Sequence, residues 1–185
     1  MRSDRMPQYQ KERTAMTLSM YQVSVPVFLR TLAALSAILD KAAAHAAQRK
    51  IEPSVLLNTR LFPDMFPFVR QIQLTADFAK GTSARLAGIE VPKFADTEST
   101  LDELKARIAK TAEFLKTLKP GQIDGSEERE ITIPIGGQPQ SFKGQPYLLH
   151  FALPNFFFHA ATAYDILRHC GVEVGKRDFL GPLAA

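Results

Sequence analysis

The chain has 185 residues, 45% of them hydrophobic and 23% charged, with a formal net charge of +4; this fits one folded domain and excludes a disordered or membrane-like chain. No apolar run reaches the roughly 20 residues that a bilayer span requires, because Arg30, Asp40, Arg70, Asp77 and Asp165 interrupt the hydrophobic stretches. Half of the positive charge falls in the first fifteen residues, and elsewhere basic residues alternate with acids, as at Asp102, Glu103, Lys105, Arg107 and Lys110. No basic stripe with interleaved aromatics therefore marks a nucleic-acid partner.

Residues 1–15 are polar and unpatterned, which reads as a flexible extension ahead of a single domain over residues 16–185. The N-terminus has no apolar core followed by a small-residue cleavage site. The single cysteine, Cys170, cannot form an internal disulfide, so a reducing cytoplasm is expected.

The first helix is expected over residues 19–48, with Val25, Phe28, Leu32, Leu35, Leu39 and Ala42 on one stripe at three- and four-residue spacing. Pro26 either kinks this helix or lies in its first turn behind Ser24 as cap. A short helical turn is expected at 54–58. A second long helix follows, capped by Asp64, buried through Phe68, Ile72, Thr75, Ala79 and Leu86, and stopped by Gly88. The third begins where Ser99 and Asp102 resemble a capping box. It runs through Leu101, Leu104, Ile108, Leu115 and Leu118 to Pro120, with Glu103 and Arg107 as an outward-facing pair.

The period then changes to two. Ile131, Ile133 and Ile135 alternate up to Gly136 and Gly137, and the pattern resumes toward Phe142, which predicts a β-hairpin with a glycine turn. Pro134 places its strand at an edge. Because an isolated hairpin is marginal in water, its isoleucines must pack on the helices or on a partner. The last helical region spans 145–169, divided at Pro154 and stopped by Gly171. The fold class expected from this order is all-α, an up-and-down four-helix bundle with a small hairpin between its third and last helices.

Candidate chemistry concentrates on the last helix. Asn155 and His159 are four residues apart, so they lie about 40° apart on one helical face, where two side chains can hold one ion. An amide oxygen is a poor zinc or nickel ligand beside imidazole. His150 lies nine residues before His159 and would face the other way on a continuous helix, unless the break at Pro154 turns it round. His159 is read either as a hydrogen-bonded structural residue among Phe156, Phe157 and Phe158 or as a metal-binding or catalytic group. His169, near a helix C-terminus, has no need of a ligand role. Cys170, at the same end, is expected to be inert. Asp77 is read as an outer-face charge or as a partner for Arg70 or Arg85.

The segment NFFFHAATAYDILRHCGV at 155–172 resembles the final helix of the DinB/YfiT-like superfamily, where a His-x-x-x-His motif precedes a helix ending in Leu-Arg and Gly. His159 matches the second histidine, Leu167 with Arg168 and Gly171 the helix end. Together with SMYQVSVPVFLRTL, NTRLFPDMFPFVRQIQ, FAKGTSARLAG and YLLHFALPNFFFHAATAYDILRH, it resembles a bacterial and fungal family of that group, the domain of unknown function numbered nineteen-ninety-three. The resemblance covers nearly everything after Met16. It implies a four-helix bundle, often homodimeric, with a divalent metal held by one histidine of the second helix and two of the last; some relatives transfer groups to or from low-molecular-weight thiols.

Asn155 stands in place of the first last-helix histidine, and the second helix offers only Gln71, Gln73 or Asp77. The expectation is therefore a homodimer that binds a small-molecule ligand around His159 and Asn155 through an altered or lost metal site. The alternatives are a zinc- or nickel-dependent transferase or hydrolase that recruits His150 and a second-helix carboxylate, and a helical interaction protein that pairs through its hairpin and exposed helix faces.

Overall fold

A computed structural model describes residues 18–182; the extension expected over 1–15 lies outside them. In chain order the elements are α1 (Val25–Arg49), α2 (Pro53–Asn58), α3 (Phe68–Ala87), α4 (Leu101–Thr117), a single turn α5 (Pro120–Ile123), strands β1 (Glu130–Ile135) and β2 (Gln138–Lys143), a turn α6 (Gly144–Pro146), a π-helical turn (Tyr147–Ala152), α7 (Leu153–His169) and α8 (Lys176–Leu180). The protein is thus mainly helical with one two-stranded antiparallel hairpin. Helix α3 packs on α7 and α4, and α1 packs on α4, α7 and α8. A continuous apolar cluster joins Phe28, Leu32 and Leu39 to Ile72, Leu104 and Phe156. No helix among the described residues is long and apolar enough to cross a membrane.

The predicted stripes are the buried ones, but several helix ends move. Residues 20–24 form a turn and α1 starts at Val25, so Pro26 is a first-turn proline whose missing N–H has no helical partner to lose. The Ser24 hydroxyl donates back to the Met20 carbonyl at 2.6 Å instead of capping α1. Asp64 does not cap α3; Pro67 occupies that position. The segment before it stays irregular because Pro63 and Pro67 push Phe62 and Phe66 out of the helical region. The box that opens α4 is formed by Thr100 and Glu103, not Ser99 and Asp102: Thr100 Oγ1 accepts from the Glu103 N–H at 3.1 Å, and Glu103 accepts from the Thr100 N–H at 3.0 Å. The longer glutamate reaches back across the turn, which is the geometry the box requires.

Glu103 is therefore not paired with Arg107. The Arg107 side chain turns inward and is only 1% exposed, with Nη2 at 2.8 Å from Asp77 and 2.9 Å from Asp96, and Nη1 at 2.9 Å from Glu98 and 3.1 Å from the Ala95 carbonyl. Asp77 also holds Lys80 at 2.9 Å, so it pairs with neither Arg70 nor Arg85. Arg70 meets Asp96 instead. The irregular strap between α3 and α4 is thus fastened by ion pairs, and its Phe94 ring lies 4.0 Å from the Lys80 ammonium and 4.2 Å from that of Lys110.

Hairpin register pairs Ile131 with Phe142 and Ile133 with Gln140, and both turn glycines have positive φ, 58° and 81°, as a two-residue hairpin turn demands. Ile131 and Ile133 are buried by their own chain, and Phe142 packs on the rings of Tyr147 and Phe151. The last helical region runs unbroken from α6 through the π-helical turn into α7. Pro154 lies in the first turn of α7, and the wider π turn absorbs the proline where an α-helical ladder would lose a bond. Gly171, with φ of 84°, ends α7 as predicted.

Burial works to raise the Asp96 and Glu98 pKa values, but the Arg70 and Arg107 bonds outweigh it and hold both below their ordinary 3.8 and 4.5. Stability from these carboxylates is present above about pH 4.5 and is lost as pH falls through the lower folded values. Arg107→Met, which removes the one cation that Asp77, Asp96 and Glu98 share, is expected to lower urea-unfolding stability by about 3 kcal/mol at pH 7. It should also flatten the acid-side loss expected of the parent protein.

Candidate functional site

His159 faces α3 from the middle of α7 and is only 8% exposed. Its Nδ1 lies 2.8 Å from Gln71 Oε1, and Gln71 Nε2 donates to the Phe66 carbonyl at 3.0 Å. A carbonyl can only accept, so the Gln71 amide must point its nitrogen at Phe66 and its oxygen at the imidazole. His159 Nδ1 is therefore the protonated nitrogen that donates, and Nε2 carries the lone pair. Among the described residues Nε2 has no protein partner, and it is absent from the buried unpartnered atoms, so it meets solvent.

Aromatic side chains frame the imidazole. Phe78 of α3 stacks on it at 5.6 Å and 23°, and Phe158 meets it edge-on at 5.3 Å. Burial first, then the positive charge of Arg70, hold the His159 pKa below the ordinary 6.5. The ring is consequently neutral at pH 7, a hydrogen-bond acceptor at its outer nitrogen.

Asn155 sits one turn earlier on the same face and is half-buried; its Nδ2 donates to the Phe151 carbonyl at 2.7 Å, leaving Oδ1 without a protein partner among the described residues. His150 is exposed on the π-helical turn and takes no part in the Gln71–His159 bond. Of the three second-helix candidates, Gln71 meets His159, whereas Gln73 bonds Glu98 at 2.9 Å and Asp77 serves Arg107 and Lys80. Gln71 falls on the buried α3 face beside Phe68 and Thr75; a glutamine on an apolar stripe was the signal for it. Nothing in the spacing announced that the charge of Arg70, its neighbour, would act on the imidazole. Four grooves elsewhere, such as one of about 560 Å³ between α1 and the segment after α7, include none of Gln71, His150, Asn155 and His159.

A metal does not fit this set. It would have one imidazole nitrogen, His159 Nε2, and beside it only amide oxygens, which bind zinc or nickel poorly. Among the described residues no three His, Cys, Asp or Glu side chains gather in a metal-holding arrangement.

The family model for the domain of unknown function DUF1993 matches residues 20–180. The chain belongs to that family. It is also similar to a crystal structure of a DinB family member protein from Shewanella denitrificans, with 41% identity and a TM-score of 0.84 over 89% of this chain and 93% of that one. The fold and the sequence resemblance thus agree on a DinB-like protein. No curated protein matches the chain.

Because folded His159 resists protonation, the unfolded chain takes up a proton first as pH falls below 6.5, and stability drops until the lower folded value is passed. His159→Gln is expected to remove this part of the pH dependence in unfolding midpoints measured from pH 7.5 downward.

Proposed function

We propose that the protein is a single-domain, up-and-down four-helix bundle that works as a homodimer and binds a small organic molecule at His159, in a site where the metal set of the superfamily has been replaced. The observation that carries this reading is the Gln71–His159 bond. It consumes Nδ1, fixes the tautomer, and presents a neutral Nε2 to solvent between aromatic walls. Such a nitrogen accepts a hydrogen bond from a ligand O–H or N–H, and it can serve as a general base. Asn155 Oδ1, one turn away, offers a second acceptor.

The alternative, a zinc- or nickel-dependent transferase or hydrolase built on His159, Asn155 and His150, is disfavoured by the donor chemistry: His159 Nε2 would be joined by a weakly binding amide oxygen, and His150 would have to leave the surface. Protein prepared without a histidine tag is expected to contain only substoichiometric zinc or nickel by elemental analysis, and His159→Ala should not change it. Stoichiometric metal that disappears in the variant would overturn the reading.

The homodimer is supported by exposed apolar side chains in the 59–67 segment and on α7, where Phe62, Phe66 and Phe158 are each more than half exposed. The hairpin is a poorer interface, since Ile131 and Ile133 are already buried by their own chain. Light-scattering mass is expected to be that of a dimer, falling to a monomer in Phe157→Ser/Phe158→Ser and unchanged when the hairpin tip is shortened at Gly136 and Gly137.

A further inference from the structure

Segment 59–67 closes on itself before α3 begins. The Phe68 N–H donates to the Thr59 carbonyl at 2.9 Å and the Met65 N–H to the Phe62 carbonyl at 3.0 Å. Arg60 Nη1 donates to the Pro63 carbonyl at 3.4 Å and to the Met65 carbonyl at 3.3 Å. The Phe66 ring is more than half exposed, whereas the Phe66 carbonyl accepts from Gln71 Nε2 at 3.0 Å. Pro67 restricts where that carbonyl points, because the residue before a proline is confined to extended backbone. Arg60 thus laces the segment, and Pro67 aims its last carbonyl at Gln71.

A side-chain amide has two orientations, and they offer the imidazole opposite polarities. In the observed one Gln71 Oε1 lies 2.8 Å from His159 Nδ1, so Nδ1 carries the proton and Nε2 the lone pair. Turned over, the amide would donate to Nδ1, and the imidazole proton would pass to Nε2 by exchange with water. That orientation sets the amide oxygen against the Phe66 carbonyl, two acceptors with no proton between them. The carbonyl forbids it only while Arg60 and Pro67 hold the carbonyl in place. A free histidine side chain favours the proton on Nε2, so the site keeps the intrinsically less favoured tautomer by means of this chain of bonds.

We propose that segment 59–67 sets the hydrogen-bonding polarity of the His159 site, with Arg60 and Pro67 as positioning residues that act through the Phe66 carbonyl and Gln71. With the segment in place the site accepts from a ligand O–H or N–H; with the segment released it donates to a ligand carbonyl. This rests on the reading of His159 as a ligand-binding nitrogen and adds the element that controls it.

The test reads the tautomer directly, by two-bond ¹H–¹⁵N correlation on the full chain labelled with ¹⁵N-histidine. It is run at about pH 8, where an imidazole is neutral, with His159→Gln for assignment. The parent protein is expected to show Nδ1–H at His159. Arg60→Met/Pro67→Ala, which changes two residues outside the core, should raise the ratio of Nε2–H to Nδ1–H about tenfold, the scale of one neutral hydrogen bond. Arg60→Met alone should act in the same direction by less, and Gln71→Leu should shift the proton at least as far as the double variant. Adding Gln71→Glu to the double variant should restore Nδ1–H, because a carboxylate accepts in either orientation; mere loosening of the structure would not be rescued in this way. A double variant that keeps the parent ratio, or one that Gln71→Glu fails to restore, would overturn control by the segment while leaving His159 as an accepting nitrogen. Nε2–H in the parent protein would overturn the acceptor reading itself, and this inference with it.

Discussion

Helices α3 and α7 pack on one another more extensively than any other pair of helices among the described residues, and both bury small and polar side chains. Thr75, Ala79 and Thr82 of α3, with Ala160, Thr162 and Ala163 of α7, are all buried. Thr75 and Thr162 satisfy their own hydroxyls by donating to the carbonyl one turn back, at 2.8 and 2.7 Å. Buried side chains this small permit close packing of the two helices, and Gln71 reaches across the pair to His159. A buried amide and a buried imidazole each cost free energy unless paired. The bond between them is thus a condition of the packing as well as the feature that sets the chemistry of the site.

Around this seam the remaining elements act as supports. Phe66, at the end of the irregular 59–67 segment, orients the Gln71 amide through its carbonyl. The strap between α3 and α4 is tied down by Arg107 and reaches Arg70 through Asp96, so the positive charge that acts on the imidazole belongs to a network extending to α4. The hairpin and the π-helical turn stack Phe142, Tyr147 and Phe151, and Phe151 in turn packs on Phe78 at 6.0 Å. The aromatic wall of the site is therefore continuous with the base of the hairpin.

Much of this was legible in the residues. Helical periodicity located the buried stripes of α1, α3 and α4, the change to period two located the hairpin, and Gly88 and Gly171 marked the ends of α3 and α7. The misplaced features share a cause. Asp64 looked like a cap because the two prolines that keep the following turn irregular compete with it. Glu103 and Arg107 looked like a surface pair because i, i+4 spacing favours one, while a capping box and three distant carboxylates offered both side chains stronger partners. Local rules see the helix they are applied to, and they do not see what packs against it.

The sequence by itself determined the family, the helical stripes and the unusual placing of Asn155 and His159 one turn apart, because these follow from spacing along one chain segment. Only the tertiary structure decided that Gln71 rather than Gln73 or Asp77 meets His159, that Nε2 is the nitrogen left open, and that Arg107 is buried. Each depends on side chains 88 or 30 positions apart in the chain. Such partners are chosen by how helices pack and by the cost of leaving a buried polar group unpaired, neither of which is written in local periodicity.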